Sequence, residues 1–510
     1  MLPDFTTKFP LNITEKIAMT VRLRLKKSKL FLFSLVILTC LSVLLSRPPA
    51  VAAAAKHYDE LTFPPLPEIK LPDYNRYQLD NGMIVYLMED HELPLVGGSA
   101  FIKTGSRFEP PNQVGLASLT GEVMRTGGTQ SHPAAELNQL LEQKAASVET
   151  SIGDTAGSAS FNALSEDLET VFELFAEVIQ EPVFAPEQLV VAKTQTQGSI
   201  SRRNDDPSDI ASREFQKLIY GEESPYARTV EYETLSNISR EDLIEFHQTY
   251  VHPQDMILGI YGDFDSEKMR LLIADQFGNW NPQTAAPTPS LPQVSQAQTG
   301  GIFFVEQPQL NQSYIQLGHL GGELNNPDYP KLSVMNGVLN GFGGRLFNNV
   351  RSRQGLAYSV YGYWGVNYDY PGVFIAGGQT RSDATVPLIQ SILTELKRIQ
   401  TEPITPEELS YAKESTLNSF IFNFASPEQT LSRLMRYEYY GYPADFIFQY
   451  RNQVEATTIA DVQRVAQKYL NPKNLVTLVV GNQTDIEPPL TSLGNNPKIT
   501  AIDITIPEPS

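Results

Sequence analysis

Glu181-Pro182-Val183-Phe184-Ala185-Pro186-Glu187-Gln188-Leu189, running on to Ala192-Lys193, is echoed by Glu402-Pro403-Ile404-Thr405-Pro406-Glu407-Glu408-Leu409, running on to Ala412-Lys413. Pro186 and Pro406 stand 220 residues apart. A second pair of blocks keeps nearly the same distance: Asp242-Leu243 through Tyr250, Pro253 and Gly262 recurs as Asp461-Val462 through Tyr469, Pro472 and Gly481, each offset by 219. A period of that length is a whole domain copied once rather than a solenoid repeat. The join is visible too. Residues 281–300 carry Pro282, Pro287, Pro289 and Pro292 among Gln, Thr, Ser and Ala, a composition suited to an extended linker. The expected organisation is therefore a domain over residues 74–280, the linker 281–300, a second domain over 301–482 and a tail from 483 to 510.

Each copy orders its elements alike. Tyr77-Gln78-Leu79 and Met83-Ile84-Val85-Tyr86-Leu87 flank Asp80-Asn81-Gly82, and Asn-Gly accepts the positive φ that a tight hairpin needs. Leu168, Val171, Phe172, Phe175 and Val178 fall at helical spacing. Helices reaching Tyr250 and Tyr469 are stopped by Pro253 and Pro472, and the β-rich runs Met256 to Tyr261 and Leu475 to Val480 follow, each ending at glycine. The pattern predicts an α+β domain, twice over, with a mainly antiparallel sheet covered on one face by helices.

Composition narrows the function classes. The 510 residues are 41% hydrophobic and 10% aromatic, which describes globular domains with sizeable cores. With 39 Lys and Arg against 58 Asp and Glu the formal charge is -19, which argues against nucleic acid as a partner. The acidity reads either as a solvated surface or as attraction for basic peptides. Cys40 stands alone, so no intrachain disulfide and no thiolate metal cluster can form. At the N-terminus, five basic residues between Arg22 and Lys29 precede sixteen uncharged, mostly apolar residues from Leu30 to Leu45 and the small-residue run Ala50-Val51-Ala52-Ala53-Ala54-Ala55. That is the layout of a signal peptide over residues 1–55, with cleavage near Lys56, a short extension over 56–73, and export to the periplasm or an equivalent compartment; an uncleaved membrane anchor is the alternative. Met19 competes with Met1 as the start. Removing residues 1–55 leaves 31 basic residues against 56 acidic ones, a charge near -25.

Common catalytic motifs are missing: there is no Gly-Lys pair for a P-loop and no G-x-S-x-G elbow. Six histidines remain. His57 and Glu60 form a lone H-x-x-E; His132 and Glu136 are four apart and read as a solvated pair; His247 and His252 straddle a helix end and read as capping or surface residues.

The order of the halves resembles the pitrilysin-like M16 peptidase family, which includes mitochondrial processing peptidase and its bacterial relatives. The resemblance covers about residues 74 to 482 and rests on the Asn-Gly hairpin, Gly115-Leu116-Ala117 opening a helix, Asp205-Asp206-Pro207, and Arg345-Leu346-Phe347 and Gly355-Leu356-Ala357-Tyr358 in the second copy. It implies two domains of one M16 fold. In that family the zinc motif H-x-x-E-H follows Gly-Leu-Ala. Here Ser118 and Glu122 stand where the histidines belong, Gly121 stands for the catalytic glutamate, and Ser199 falls near the third ligand. A catalytic zinc needs three protein ligands, an open position for water and a carboxylate base. The chain is thus expected to hold no cofactor and to have no catalytic residue of its own.

What the resemblance retains is the other half of the machinery. Arg351 and Tyr358, seven residues apart in Arg351-Ser352-Arg353-Gln354-Gly355-Leu356-Ala357-Tyr358, match the Arg/Tyr pair that family C-terminal domains present across the cleft from the metal. A guanidinium and a phenol can donate to a substrate carbonyl; an ion-paired Arg and a packed Tyr at a strand start are the plain alternative. Asn340-Gly341-Phe342-Gly343-Gly344 resembles, in shorter form, the glycine-rich loop of the noncatalytic processing subunit, where Gly341, Gly343 and Gly344 would let backbone amides approach a peptide; a turn between helices is the bland reading. The resemblance implies an exported noncatalytic subunit that pairs as a heterodimer with an H-x-x-E-H subunit carrying zinc. A stand-alone binding or assembly protein and an active peptidase with unorthodox ligands remain as alternatives.

Overall fold

Gly82 takes a φ of 94° at the Asn81-Gly82 turn, and the two strands it joins, β1 (Asn75–Gln78) and β2 (Ile84–Glu89), pair antiparallel. The computed structural model describes residues 70–282, 290–494 and 497–508. The signal segment and the H-x-x-E of His57 and Glu60 lie outside the described residues. Among the described residues no helix is long and apolar enough to cross a membrane.

The first sheet adds β3 (Leu95–Ile102), β4 (Ser147–Ile152), β5 (Gly157–Leu164) and β6 (Met256–Gly262) in the order β1-β2-β6-β3-β5-β4. The second half contributes β7 (Ile302–Glu306), β8 (Gln312–Leu320), the short β9 (Gly322–Glu323), β10 (Ser359–Trp364), the short β11 (Val366–Asn367), β12 (Val373–Arg381), β13 (Val476–Gly481) and β14 (Ile499–Ala501). Its sheet runs β10-β12-β8-β13-β7-β14, while β9 and β11 pair separately. Substituting β7 for β2, β8 for β3, β10 for β4, β12 for β5 and β13 for β6 turns one order into the other. Both sheets are mainly antiparallel, with β2 parallel to β6 and β7 parallel to β13.

The sequence echoes mark helix starts. Asp242 and Asp461 are the third residues of helices Arg240–Tyr250 and Ile459–Tyr469, where each closes a capping box with Ser239 or Thr458. Pro186 and Pro406 occupy the first position of helices Pro186–Arg202 and Pro406–Asn418, where a missing N–H costs nothing.

One face of the first sheet packs on helices through Leu137, Phe172, Phe175 and Phe277. The sequence pattern places helices on one face, and the structure adds cover on the opposite face, a helix from the other half. Helix Pro427–Tyr440 lays Leu431, Leu434, Met435 and Tyr439 on Tyr86, Met88 and Ile257 of the first sheet. Helix Pro207–Tyr220 lays Ile210, Phe215 and Ile219 on Phe303, Val305, Leu478 and Val480 of the second. Pro207 and Pro427 are again 220 residues apart, each preceded by a capping side chain, Asp206 or Ser426. Each large side chain so buried contributes about 1.5–3 kcal/mol, and the exchange explains why β6 and β13 read as almost continuous apolar runs. Glycines admit the exchanged helices: a methyl group on Gly259 would meet Met435 Sδ at 2.2 Å, and one on Gly318 would meet Phe215 Cζ at 2.9 Å. Polar bonds cross the same boundary. Glu438 accepts from Arg76 Nη2 and Tyr86 OH, both at 2.8 Å, and Arg107 Nη1 donates to Asp369 Oδ2 at 2.7 Å.

Residues after 482 do more than trail away. β14 lies parallel to β7 at the sheet edge. Beyond it, Ile502 and Ile504 pack beside helix Pro207–Tyr220 and the second sheet, Ile506 reaches a core cluster of the first half, and Asn204 Nδ2 donates to Ile504 O at 2.7 Å. The alternating isoleucines make a strap from one half to the other.

The histidines also differ from expectation. His247 and His252 are both buried rather than on the surface, but His252 does cap its helix, Nε2 donating to Thr249 O in the last turn at 3.0 Å, while Nε2 of His247 donates to Ile179 O at 2.8 Å and burial pushes the His247 pKa down to about 4. His132 pairs with Glu177 at 2.8 Å rather than sharing a solvated face with Glu136. His319 is held neutral by burial, its Nδ1–H on Leu320 O and its Nε2 accepting from Asn471 N.

Candidate functional site

Gly115, at φ 105°, turns the chain into helix Leu116–Thr126, whose first amides are taken by a buried carboxylate. Glu109 accepts from Gly115 N at 3.1 Å and Ala117 N at 2.9 Å, with Arg228 Nη2 3.7 Å away. Burial raises its pKa against the pull of those two amides and the guanidinium. Ser118, one residue on, is exposed. Gly121 is buried against β4: a methyl group there would lie 2.4 Å from Ile152 N, and Thr150 Oγ1 donates to Gly121 O at 2.6 Å. Glu122 is half-buried, and Ser199, on the exposed face of Pro186–Arg202, donates to Gln195 O at 3.2 Å. These residues do not fit a catalytic zinc. Only Glu122 is a strong ligand, Ser199 is turned to its own helix, and the position of the base is filled by the backbone of β4.

In the second half the chain winds as a π-helix over Leu346–Arg353, turns at Gly355 with φ 65° and enters β10 at Ser359. This brings Arg351 and Tyr358 together. The Arg351 guanidinium carbon lies 4.8 Å from the Phe347 ring centroid and 5.7 Å from that of Tyr358, so the cation is held between two rings. No hydrogen bond or ion pair to the described residues engages the guanidinium, and Tyr358 is 79% exposed while its backbone N–H donates to Gln379 O. Both groups therefore keep their side-chain donors free of the described residues.

The glycine loop has a local explanation. Methyl groups on Gly341 or Gly343 would meet the Tyr411 hydroxyl or ring at 2.8 and 2.6 Å, one on Gly344 would meet Asn340 O at 2.1 Å, and Gly343 N donates to Tyr411 OH at 2.9 Å. The Gly343 amide is thus already occupied. The loop instead displays Phe342, 80% exposed and edge-on to Phe347.

Two adjoining cavities connect these regions. One of about 510 Å³ is lined by Ser118, Glu109, Arg228 and Tyr226 of the first half. The other, about 460 Å³, takes Tyr220 and Tyr226 from the first half and Gln316, Tyr361, Tyr363 and Tyr370 from the second. Asp154, Ser212, Gln216 and Tyr226 border both, so the position of Ser118 opens on the same cleft as β10, the strand that follows Tyr358. Burial raises the pKa of Tyr220, Tyr226, Tyr361 and Tyr370, which keeps these phenols neutral. Sequence reasoning missed the tyrosine walls. The available signal was the period of two in Tyr361 and Tyr363 on a strand, with Tyr368 and Tyr370 close behind.

Comparison with known proteins gives the family and the fold. Residues 85–230 match the family model described as insulinase (peptidase family M16), and residues 237–416 match the one described as peptidase M16 inactive domain. A Helicobacter pylori protein named non-peptidase homolog YmxG is 25% identical over 402 residues, 78% of this chain and 91% of that protein. The Bacillus subtilis uncharacterized zinc protease YmxG is 25% identical over 360 residues, 70% of this chain and 86% of its own length. Among solved structures, a peptidase M16 inactive domain from Pseudomonas fluorescens superposes with a TM-score of 0.71 at 25% identity, covering 80% of this chain and 98% of that one. The periplasmic protease PqqL of Escherichia coli shares the fold, with a TM-score of 0.68 at 15% identity over 82% of this chain and 48% of that one.

Proposed function

Because the chain belongs to the M16 peptidase family, we propose that it is an exported noncatalytic M16 subunit. It binds peptide in the cleft between its halves and pairs with an H-x-x-E-H subunit that supplies the zinc. The observation that carries this reading is the free guanidinium of Arg351, oriented between Phe347 and Tyr358 with none of its donors engaged by the described residues. An arginine kept for stability is normally found on a carboxylate, as Arg345 is on Glu408 at 2.6 Å. Arg351 donates to substrate carbonyls in the ground state, and the phenol of Tyr358 donates to oxygen as negative charge develops on it. Export rests on the apolar run Leu30–Leu45 and the alanines before Lys56.

Reconstitution with the zinc-bearing subunit tests the pairing and the site together. Tyr358→Phe removes a single donor from an exposed ring and should lower turnover about 100- to 1,000-fold with complex formation intact. Arg351→Ala should weaken peptide binding as well, because its bonds also act before the transition state. Wild-type cleavage by both variants in a confirmed complex would instead favour a stand-alone binding or assembly protein, a role to which the exposed Phe342 and Phe422 are suited.

A further inference from the structure

A groove of about 650 Å³ lies between helices Leu168–Gln180 and Ser266–Phe277 of the first half. Phe264 and Met269 line it from the first core, which packs on the sheet face opposite to the one covered by helix Pro427–Tyr440. It shares no lining residue with the two cavities of the cleft. Leu168, Leu271 and Leu272 add an apolar side, and Leu271 is 73% exposed. The second copy uses the corresponding stretch differently. Residues 483–494 follow β13 as helix Ser266–Phe277 follows β6, and their Ile486 and Leu490 are buried in the core of that half, each 3% exposed. What the second half turns inward, the first leaves facing out.

The rim carries charge of one sign. Glu166, Glu169, Asp263, Asp265 and Asp275 line the groove against a single base, Lys268, which makes no ion pair among the described residues. Ser165 and His91 engage Asp263, and Asp265 accepts from Lys268 N at the start of its own helix. Glu166 and Glu169 have no hydrogen-bond or ion-pair partner among the described residues. Carboxylates gathered round an apolar strip repel one another and attract basic side chains. A second copy of this chain, at a formal charge of -19, or an anionic lipid surface brings charge of the wrong sign. A gap between two helices suits a third, because the side-chain ridges of one helix pack into the grooves of its neighbours. We propose that this groove docks an amphipathic helix of another protein, its apolar face on the leucines and its flanking Lys or Arg side chains on Glu166, Glu169 and Asp275. The contact lies outside the cleft, so it brings a partner to the chain whether or not Arg351 and Tyr358 act on peptide.

The test uses the whole exported chain and a fluorescein-labelled, Ala-rich peptide of about four helical turns, with Leu along one face and Lys beside it. One companion peptide replaces its Leu by Gln and keeps the charge; the other replaces its Lys by Glu and keeps the leucines. The parent should bind about tenfold tighter than the Gln peptide, and the Glu peptide should not bind. Leu271→Ser, at a side chain already open to solvent, should fold as wild type and lower the parent's affinity about fivefold. Glu169→Gln with Asp275→Asn should lower it by a similar factor. The same loss of charge by Glu222→Gln with Glu455→Gln, both exposed and outside the groove, should change it by less than about twofold. Equal losses in the two double variants, or unchanged binding to Leu271→Ser, would assign the attraction to the acidic chain as a whole and overturn the groove. Absence of binding by the parent, or equally tight binding of the Glu peptide, would overturn it too. Sedimentation of the chain alone and flotation with anionic vesicles separate the other occupants. Self-association or vesicle binding that Leu271→Ser abolishes would overturn the proposal in favour of a second copy or a lipid surface.

Discussion

The two halves share one plan but treat the cleft in opposite ways. In the first, the helix opened by Gly115 has its leading amides on Glu109 and lies so close to β4 that Gly121 has no room for a side chain. In the second, the π-helix stops short of β10 and leaves Arg351 and Tyr358 with free donors, Phe342 exposed and nothing within 4 Å of a methyl group on Gly355. The first wall is closed by packing and the second is open. Where the ligand chemistry of a metal site is absent, backbone has taken the space; where hydrogen-bond donors remain, they are left out of the packing.

This difference predicts the largest effect. Ser118→His, Gly121→Glu and Glu122→His together rebuild H-x-x-E-H on paper. The carboxylate side chain introduced by Gly121→Glu would have to enter the backbone of Ile152 and Ser151, and its charge would be placed where Gly121 is buried. The triple variant should lose about 4 kcal/mol or more of stability and take up no stoichiometric zinc, by urea melts and elemental analysis. A variant that binds one zinc and melts like wild type would break the comparison, because the first wall would then be as open as the second.

The duplication was legible because its echoes are local chemistry. Asp242 and Asp461 close capping boxes, and Pro186 and Pro406 take first helical positions, so the same residues recur wherever the same helix begins. Arg351 and Tyr358 are paired in the sequence through the resemblance of residues 351–358 to the family's C-terminal domain, since Gly355 interrupts the helix that spacing alone would need. The exchanged helices left no such trace: Met435 meets Gly259 from the opposite half of the chain, and no short-range period encodes that contact. The tyrosine walls were hidden for the same reason, since they gather residues 220 and 226 with 361, 363 and 370. At Gly121 the sequence shows a missing carboxylate, whereas only the fold shows β4 in its place. The strap was half-readable, as Ile502, Ile504 and Ile506 alternate like a strand.

That strap also separates the halves. The first sheet ends on β1, an antiparallel neighbour from a hairpin; the second ends on β14, a parallel neighbour that arrives after every other element. A chain stopped after Gly494 should lose about 2–4 kcal/mol, from three half-buried isoleucines at about 1 kcal/mol each and the pairing of β14. It should also self-associate through the uncovered edge of β7, which size-exclusion chromatography would detect. Unchanged stability and a monomeric profile would reduce the strap to an ornament of the second sheet.

The smallest effect is expected where the comparison matters most for function. If the second wall is kept open for substrate, Arg351 and Tyr358 should contribute little to the fold. Their contact is a cation over an exposed ring, for which about 0.5–1 kcal/mol is typical. Phe347 holds the guanidinium from its other side, so the Tyr358 contribution should fall at the low end. A double-mutant cycle on urea stability with Arg351→Ala, Tyr358→Ala and the pair isolates that coupling, because both side chains lack other hydrogen-bond partners among the described residues. A coupling of about 0.5 kcal/mol or less, alongside a large loss in reconstituted peptide cleavage, would mark donors positioned for a ligand. A coupling above about 1.5 kcal/mol would mean that the pair braces the junction between the π-helix and β10, and the two walls of the cleft would then differ only in which residues pack them.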